Sequence, residues 1–416
     1  MKKPVVIDLF AGCGGLSLGL EQAGFFPIFV NELNKDAMQT YLSNRETVNP
    51  LLEEKFSVNN VKDMVNQEDY FSNLENSFQL HYGINPGEID LIVGGPPCQG
   101  FSGIGHRRSY SVEKEQLPSN QLFQDMAYIV NRLRPKIFLF ENVRGLLSSK
   151  WNSKGTKGEI WEDVKAAFNS IPGYSVDSKL IRAKDYGVPQ NRPRILLVGI
   201  RNDFSNKLLG EGDAVERGFL PEPSGNYPNL EDLLGDLVDP SFTNGGMTRA
   251  YPKEAKSEIQ KFLRRNEKGH VAKKGARVSE HEYSKHAEHV QERFRIMIKN
   301  NGDIPKAYKT KKFAQRLLPK TWNSSGPSIT ATSLPDDYVH FSQPRILTVR
   351  EWARLQMFPD WYKFSGKRTT GGVRRAGNPR LGLFDRDLPK YTQIGNAVPV
   401  SLAKQLGSHF RNILDK

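Results

Sequence analysis

Cysteine is almost absent: the 416 residues hold two, Cys13 and Cys98. A disulfide framework and a cysteine-built zinc site are therefore excluded, and a reducing compartment fits best. Long apolar runs are missing as well. No stretch approaches the roughly 20 apolar residues that a membrane span needs. The start, Met1-Lys2-Lys3-Pro4 followed by Val5–Phe10 with Asp8 inside it, is too short and too polar for a secretory signal. Internal repeats and low-complexity tracts are lacking too, which removes solenoids and disordered tails from consideration.

Hydrophobic residues make up 38% of the chain and charged residues 25%, enough for a sizeable core. The length suggests two or three domains, or one large domain with an insertion. The formal charge of +13 is unevenly placed: residues 251–416 carry +18, leaving −5 for residues 1–250. A near-neutral half joined to a strongly basic half points to a polyanionic partner.

In the first 200 residues, apolar runs alternate with amphipathic stretches. Strands are expected at Val5–Phe10, Pro27–Val30, Asp90–Val93, Ile137–Phe140 and Ile195–Gly199. Helices are expected at Leu16–Ala23, Asp36–Leu42, Leu122–Leu133 and Ile160–Asn169. That alternation argues for a parallel, doubly wound α/β sheet, whose ligands bind beyond the carboxyl ends of its strands. The texture changes near residue 202. Residues 203–250 are rich in Gly, Pro and Asn, and 251–320 are rich in Lys, with a polar helix expected over Glu280–Lys299. His281, His286 and His289 fall on that helix and read as a solvated face. Thr348–Met357 reads as an amphipathic helix, 365–390 as a Gly/Arg-rich loop and Val398–Leu414 as a closing helix. A second domain is expected over about 203–385, inserted before that last helix.

Four segments carry chemistry. The first strand runs into Asp8-Leu9-Phe10-Ala11-Gly12-Cys13-Gly14-Gly15. Its glycines permit a sharp turn and close approach to a ligand, but the dinucleotide pattern G-x-G-x-x-G fails at Ser17. Glu32, 20 residues after Gly12, can accept hydrogen bonds from ribose hydroxyls. Together these suggest a nucleoside cofactor without a required pyrophosphate, although a plain strand–helix turn has the same glycines. The third strand ends in Gly94-Gly95-Pro96-Pro97-Cys98, where two prolines would hold a thiol rigidly at the ligand face. A free thiol titrates at about 8.5, so it needs a cationic neighbour or helix amides to react near neutrality. Cys13 instead reads as an inert buried residue, and the polar stretch 103–120 as a closing loop. The fourth strand ends in Glu141-Asn142-Val143, placing a carboxyl group where it can bond or protonate a ring nitrogen. Gln190-Asn191-Arg192-Pro193-Arg194 puts two arginines at i, i+2, hence on one side of an extended strand. They can steady a carbonyl oxygen and a thiolate, or pair with a phosphate.

In order and spacing, these segments, with Arg345–Pro359 and Gln393–Val400, resemble the DNA (cytosine-5) methyltransferases in their bacterial modification-enzyme form. The resemblance spans nearly the whole chain. It implies an α/β fold with a doubly wound mixed sheet, the S-adenosylmethionine-dependent methyltransferase fold, and a second, smaller DNA-recognition domain. Residues 1–202 plus 386–416 would form the catalytic and cofactor-binding domain, and 203–385 the target-recognition domain with its hinge. Cys98 would be the nucleophile and Glu141 the contact to cytosine N3 and its exocyclic amine, with Arg192 and Arg194 orienting the base. S-adenosyl-L-methionine would lie against Phe10, Gly12, Gly14 and Gly15, with Glu32 on the ribose and Leu33 beside the adenine. Pro97, Leu122, Asn396 and Ala397 would complete the pocket. One departure stands out: the family has an Asp-hydrophobic pair at the adenine amine, whereas this chain has Asn60-Val61, with Asp63 as a rival. The implied partners are double-stranded DNA and a companion restriction endonuclease. The implied protein is a cytoplasmic bacterial monomer with no metal and no membrane contact. An RNA-directed relative and a catalytically inactive DNA-binding relative are the alternatives.

Overall fold

The computed structural model describes residues 3–97, 121–208, 210–309, 315–322, 326–329, 337–369 and 387–415. Cys98, the expected loop 103–120 and most of the Gly/Arg-rich stretch 365–390 lie outside the described residues.

The first part of the chain begins with β1 (Val5–Leu9), α1 (Gly15–Gln22), β2 (Phe26–Asn31), α2 (Lys35–Ser43), α3 (Leu51–Glu54), β3 (Ser57–Val58), α4 (Lys62–Val65) and α5 (Tyr70–Tyr82). It continues with β4 (Leu91–Gly94), α6 (Leu122–Leu133), β5 (Ile137–Val143), α7 (Glu159–Asn169), β6 (Tyr174–Arg182) and β7 (Pro193–Arg201). The seven strands form one sheet in the order β3-β2-β1-β4-β5-β7-β6. All neighbours among β1 to β5 pair in parallel. β7 runs antiparallel to both β5 and β6, so the sheet is mixed rather than wholly parallel. β3 and β6 carried no clear apolar signal. β3 has only two residues, and along β6 only Ile181 is buried.

The inner strands are buried on both faces, which explains their nearly continuous apolar runs. Val6, Leu91, Val93, Ile137, Leu139 and Val198 face one core, while Ile7, Ile92, Phe138, Phe140 and Leu197 face the other. This is the two-residue alternation of a strand. The chain moves outward from β1 to β3 and then returns to place β4 on the other side of β1. The crevice beyond β1 and β4 is therefore the topological switch point, where open α/β sheets bind ligands.

The remainder holds α8 (Leu230–Leu234), α9 (Glu258–Leu263), α10 (Glu288–Lys299), β8 (Arg316–Leu317), β9 (Tyr338–Val339) and α11 (Val349–Leu355). α12 (Lys390–Asn396) and α13 (Val400–Leu414) close the chain, and α13 returns to the sheet. Ala214, Val215, Phe219 and Leu220 pack into the same face as α13. α9 and α11 each start with a capping box, Ser257 with Gln260 and Thr348 with Glu351, which satisfies otherwise orphaned amides. α11 was expected to be amphipathic, yet all seven of its residues are buried, Arg350, Glu351 and Arg354 included. The polar helix expected from Glu280 starts only at Glu288, and this overturns the reading of His281. His281 is 2% exposed and bonds Thr348 Oγ1 at 2.9 Å and the Leu237 carbonyl at 2.9 Å. Sequence spacing could not show this, because both partners come from distant segments.

Candidate functional site

After β1 the chain turns through Phe10 and Gly12, with φ of 56° and 57°. Two bonds hold the turn: Ala11 N donates to the Asn31 carbonyl at 2.9 Å, and Gly14 N to the Ala11 carbonyl at 3.0 Å. A Cβ added at Gly12 would meet nothing within 4 Å, so this residue faces open space. Its neighbours face protein. At Gly14 a Cβ would fall 2.8 Å from the Tyr362 hydroxyl, and at Gly15 2.5 Å from the Val398 carbonyl. Gly14 and Gly15 thus let the loop sit tightly on the structure below, while Gly12 leaves room above.

Glu32 stands at the end of β2 beside that opening. One carboxylate oxygen accepts from Gly12 N and the other from Asn34 N, each at 2.8 Å. Burial nevertheless pushes its carboxyl group above the ordinary carboxylate range. Leu33, next in sequence, is 70% exposed. Across from it, Asn60 uses its side-chain oxygen to accept from Lys62 N at 3.0 Å, which fixes the turn into α4. Asp63 is exposed on the same short helix. Leu122 opens α6 half-buried, while Asn396 is exposed and Ala397 buried at the turn before α13. An open glycine, a carboxylate and an exposed leucine between two walls fit a nucleoside.

The second half of the site lies beyond β4 and β5. Asn142 Nδ2 donates to the Pro96 carbonyl at 3.1 Å, locking the end of β5 to the Pro-Pro segment. A Cβ at Gly95 would lie 2.9 Å from Glu141 Oε2, so the carboxylate rests directly over this glycine. Glu141 is therefore beside the short segment that leads through exposed Pro97 into Cys98. Arg194 Nε lies 2.5 Å from Glu141 Oε1, with both side chains buried. Burial lowers the Arg194 pKa and Glu141 opposes that shift. A guanidinium starts so far above neutrality that it stays charged.

Arg192 has a different set of partners. Its guanidinium donates to the Ile329 carbonyl, to the Gly395 carbonyl at 2.7 Å and to the Ala397 carbonyl at 3.3 Å. Burial and the neighbouring Arg194 depress its pKa, with Glu141 acting against them. Gln190 extends this junction, donating to the Leu355 carbonyl at 2.5 Å and accepting from Ile329 N at 3.0 Å. The two arginines thus divide the work: Arg194 holds the carboxylate, and Arg192 holds the backbone at 329 and 395–397.

The sequence reading missed the support beneath the glycine loop. Tyr362 OH donates to the Cys13 carbonyl at 2.6 Å, and Arg45 donates to Tyr362 OH at 3.2 Å. Arg45 also pairs with Glu21 at 2.5 Å and lies over the Tyr41 ring. Ser17 donates to Asp8 at 2.6 Å. Burial raises Asp8 to about 7, against the pull of the Ser17 bond and Arg45. No local pattern announces this group, because Arg45 and Tyr362 stand 317 residues apart. Cys13 is fully buried and its thiol pKa is pushed far up by burial, in keeping with an inert role. Among the described residues no group of three or more His, Cys, Asp or Glu side chains is arranged to hold a metal ion.

Comparison with known proteins places the chain in a family. The sequence pattern of the family described as C-5 cytosine-specific DNA methylase matches residues 5–412. The type II methyltransferase M.DdeI of Desulfomicrobium norvegicum is 31% identical over 98% of this chain and 89% of its own. The type II methyltransferase M.Eco47II of Escherichia coli is 29% identical over 99% of this chain and 79% of its own. An E. coli DNA modification methyltransferase encoded within a prophage has a solved structure that superposes with a TM-score of 0.69 at 23% identity. It covers 99% of this chain and 100% of that one. The Schizosaccharomyces pombe Dnmt2 methyltransferase superposes with a TM-score of 0.52 at 16% identity, over the full length of both chains. At these identities the two solved structures speak for the fold.

Proposed function

Since the chain belongs to the C-5 cytosine-specific DNA methylase family and is an S-adenosyl-L-methionine-dependent DNA (cytosine-5) methyltransferase, we propose that it methylates cytosine within a specific duplex sequence through a covalent Cys98 adduct. The observation that carries this reading is the buried Glu141–Arg194 pair, seated over Gly95 and beside the Pro96-Pro97 segment that presents Cys98.

Cytosine C5 is a weak nucleophile until the ring's aromaticity is broken. The Cys98 thiolate adds to C6, and the electron pair of the C5–C6 double bond moves to C5. Glu141 contacts N3 and the exocyclic amine and stabilises the ring as it gains electron density. Arg194 keeps that carboxylate oriented, and Arg192 holds the 395–397 turn against the strand start. When bound, S-adenosyl-L-methionine would supply an electrophilic methyl group to C5 and depart as S-adenosyl-L-homocysteine. A water acting as base takes the C5 proton, the C5–H electron pair re-forms the C5–C6 double bond, and the C6–S pair returns to the Cys98 sulfur. Gly12, Glu32, Leu33, Asn60 and Leu122 form the walls for the nucleoside end of the cofactor, with Phe10, Gly14, Gly15, Pro97, Asn396 and Ala397 around them.

The target carbon is reached by swinging the base out of the duplex, at a cost of a few kcal/mol. The basic residues of 203–385, the target-recognition domain in this reading, grip the phosphates and read the sequence. The curated relatives are type II methyltransferases, which supports a modification role beside a restriction endonuclease.

A tritiated-methyl transfer assay on duplex DNA and on tRNA tests the substrate, and label in tRNA alone would overturn the reading. Cys98→Ser is expected to abolish transfer while leaving duplex binding measurable. A covalent complex on DNA carrying 5-fluorocytosine should form with the native chain and be absent with that variant.

A further inference from the structure

The chain fastens the Glu32 segment, the segment after β3 and the start of α6 to one another by different means. Asn31 Nδ2 donates to the Val58 and Asn59 carbonyls at 2.9 and 3.0 Å, and Asn59 Nδ2 donates to the Glu32 carbonyl at 3.1 Å. Those bonds tie the segment after β3 to the Glu32 side. The third side, α6, is joined to that segment by an ion pair, with Lys62 Nζ 2.8 Å from Asp125 Oδ1. Lys62 also donates its backbone N–H to Asn60, so one residue both shapes the Asn60 turn and anchors it. Asp125 lies in the first turn of α6, one helical turn after Leu122, where an acidic group complements the helix dipole. The residue is 8% exposed, and its second oxygen is buried with no hydrogen-bond partner among the described residues. A carboxylate in that setting depends on Lys62, its one cation among the described residues.

We propose that Lys62 and Asp125 are positioning residues for the cofactor: their ion pair sets the gap between the Asn60 turn and the start of α6 that receives the adenine. Neither residue touches the reacting atoms, so the pair acts on cofactor affinity and leaves the chemical step alone. This inference rests on the cofactor cleft proposed above. Lys62 is half-exposed, so a substitution there changes the pair without opening the core.

The test uses the full chain and four variants: Lys62→Met, Lys62→Arg, the double variant Lys62→Met with Asp125→Asn, and Glu32→Ala as a reference. Equilibrium binding of S-adenosyl-L-methionine, its KM, kcat at saturating cofactor, duplex affinity without cofactor and thermal midpoints are measured together. Lys62→Met is expected to raise the cofactor Kd and KM by roughly 5- to 20-fold, as small misplacements of positioning groups do, with kcat and duplex affinity within about twofold. Lys62→Arg should stay near the native values. The double variant removes the unpaired buried charge, so its thermal midpoint should recover while its cofactor KM stays raised. Recovery of both would make the pair merely structural and overturn the proposal, as would an equal loss of duplex affinity in Lys62→Met. If Glu32→Ala weakens cofactor binding but Lys62→Met does not, this inference alone falls. If neither does, the assignment of the cleft falls with it.

Discussion

The sheet and the helical region after it solve one problem in opposite ways. In the sheet, ladder bonds satisfy the backbone, so the strand side chains are free to be apolar: Leu91–Gly94 is buried throughout. Around α8, α9, α11 and α12 the helices have at most seven residues and much of the backbone is irregular, leaving carbonyls without regular partners. Arginines meet that need. Arg354 donates to the Leu233 carbonyl at 2.7 Å, Arg350 to the Pro359 and Tyr362 carbonyls at 3.1 and 3.0 Å, and Arg264 to the Lys253 carbonyl at 2.9 Å. Asp236 and Asp360 then neutralise the charge, with Arg354 2.6 Å from each. Arg345 and Glu351 form a second pair at 2.7 Å. Burial works to raise the Glu351 carboxyl, but Arg345 more than offsets it and holds the group far below its usual range. A region short of regular hydrogen bonds is held by five-donor side chains, each needing a buried acid.

The comparison breaks most directly at Arg354. Arg354→Met should cost about 3–5 kcal/mol in urea unfolding, because Asp236 and Asp360 are left buried without it. A loss below about 1 kcal/mol would mean these ion pairs do not hold the region. The pH response should separate the halves next. Asp8 releases its proton near 3.8 when unfolded but only near 7 when folded, so the folded state loses stability as pH rises between those values. Asp8→Asn should remove that loss, gaining about 1.4 kcal/mol per pH unit over the native chain across the window. A constant difference between pH 4 and 7 would refute the buried, proton-holding Asp8.

The helical region should respond in the opposite sense. Burial lowers His281 from 6.5 to about 4, and burial together with Arg345 lowers His340 to about 3. Both are held neutral, so their contribution is complete above pH 6.5 and fades as pH falls toward those values. His340→Gln should flatten the acid limb of the stability curve, by about 2 kcal/mol at pH 5. Unchanged acid sensitivity would remove the histidines from the comparison. The smallest effect belongs to the exposed pairs. Arg295 reaches Glu288 at 2.7 Å and Glu292 at 3.0 Å on the surface of α10, and Arg295→Ala should leave the urea unfolding midpoint unchanged.

What could be read along the chain follows the same division. Strands such as Ile137–Val143 declare themselves through apolar runs, and α6 was legible to the residue at Leu122–Leu133. β6 escaped notice because it lies at the edge and is mostly half-buried, so its side chains do not alternate cleanly. The placement of Gly12 in an open turn, of Glu32 beside it and of Glu141 near a strand end was legible from residue type and spacing. It was illegible where a role depends on a distant partner. Arg192 and Arg194 look equivalent in sequence, yet one reaches the carbonyls of residues 329 and 395–397 and the other a carboxylate. His281 looked solvated and is buried.

The order of residues alone determined the strand–helix alternation, the glycine turn after the first strand and the position of Glu141 at a strand end, because local sterics and periodicity act over a few neighbours. Tertiary structure decided the antiparallel insertion of β7, the different tasks of Arg192 and Arg194, and the tie from Arg45 through Tyr362 to the glycine loop. Those choices depend on desolvated charges finding partners hundreds of residues away, and no local preference encodes such a meeting.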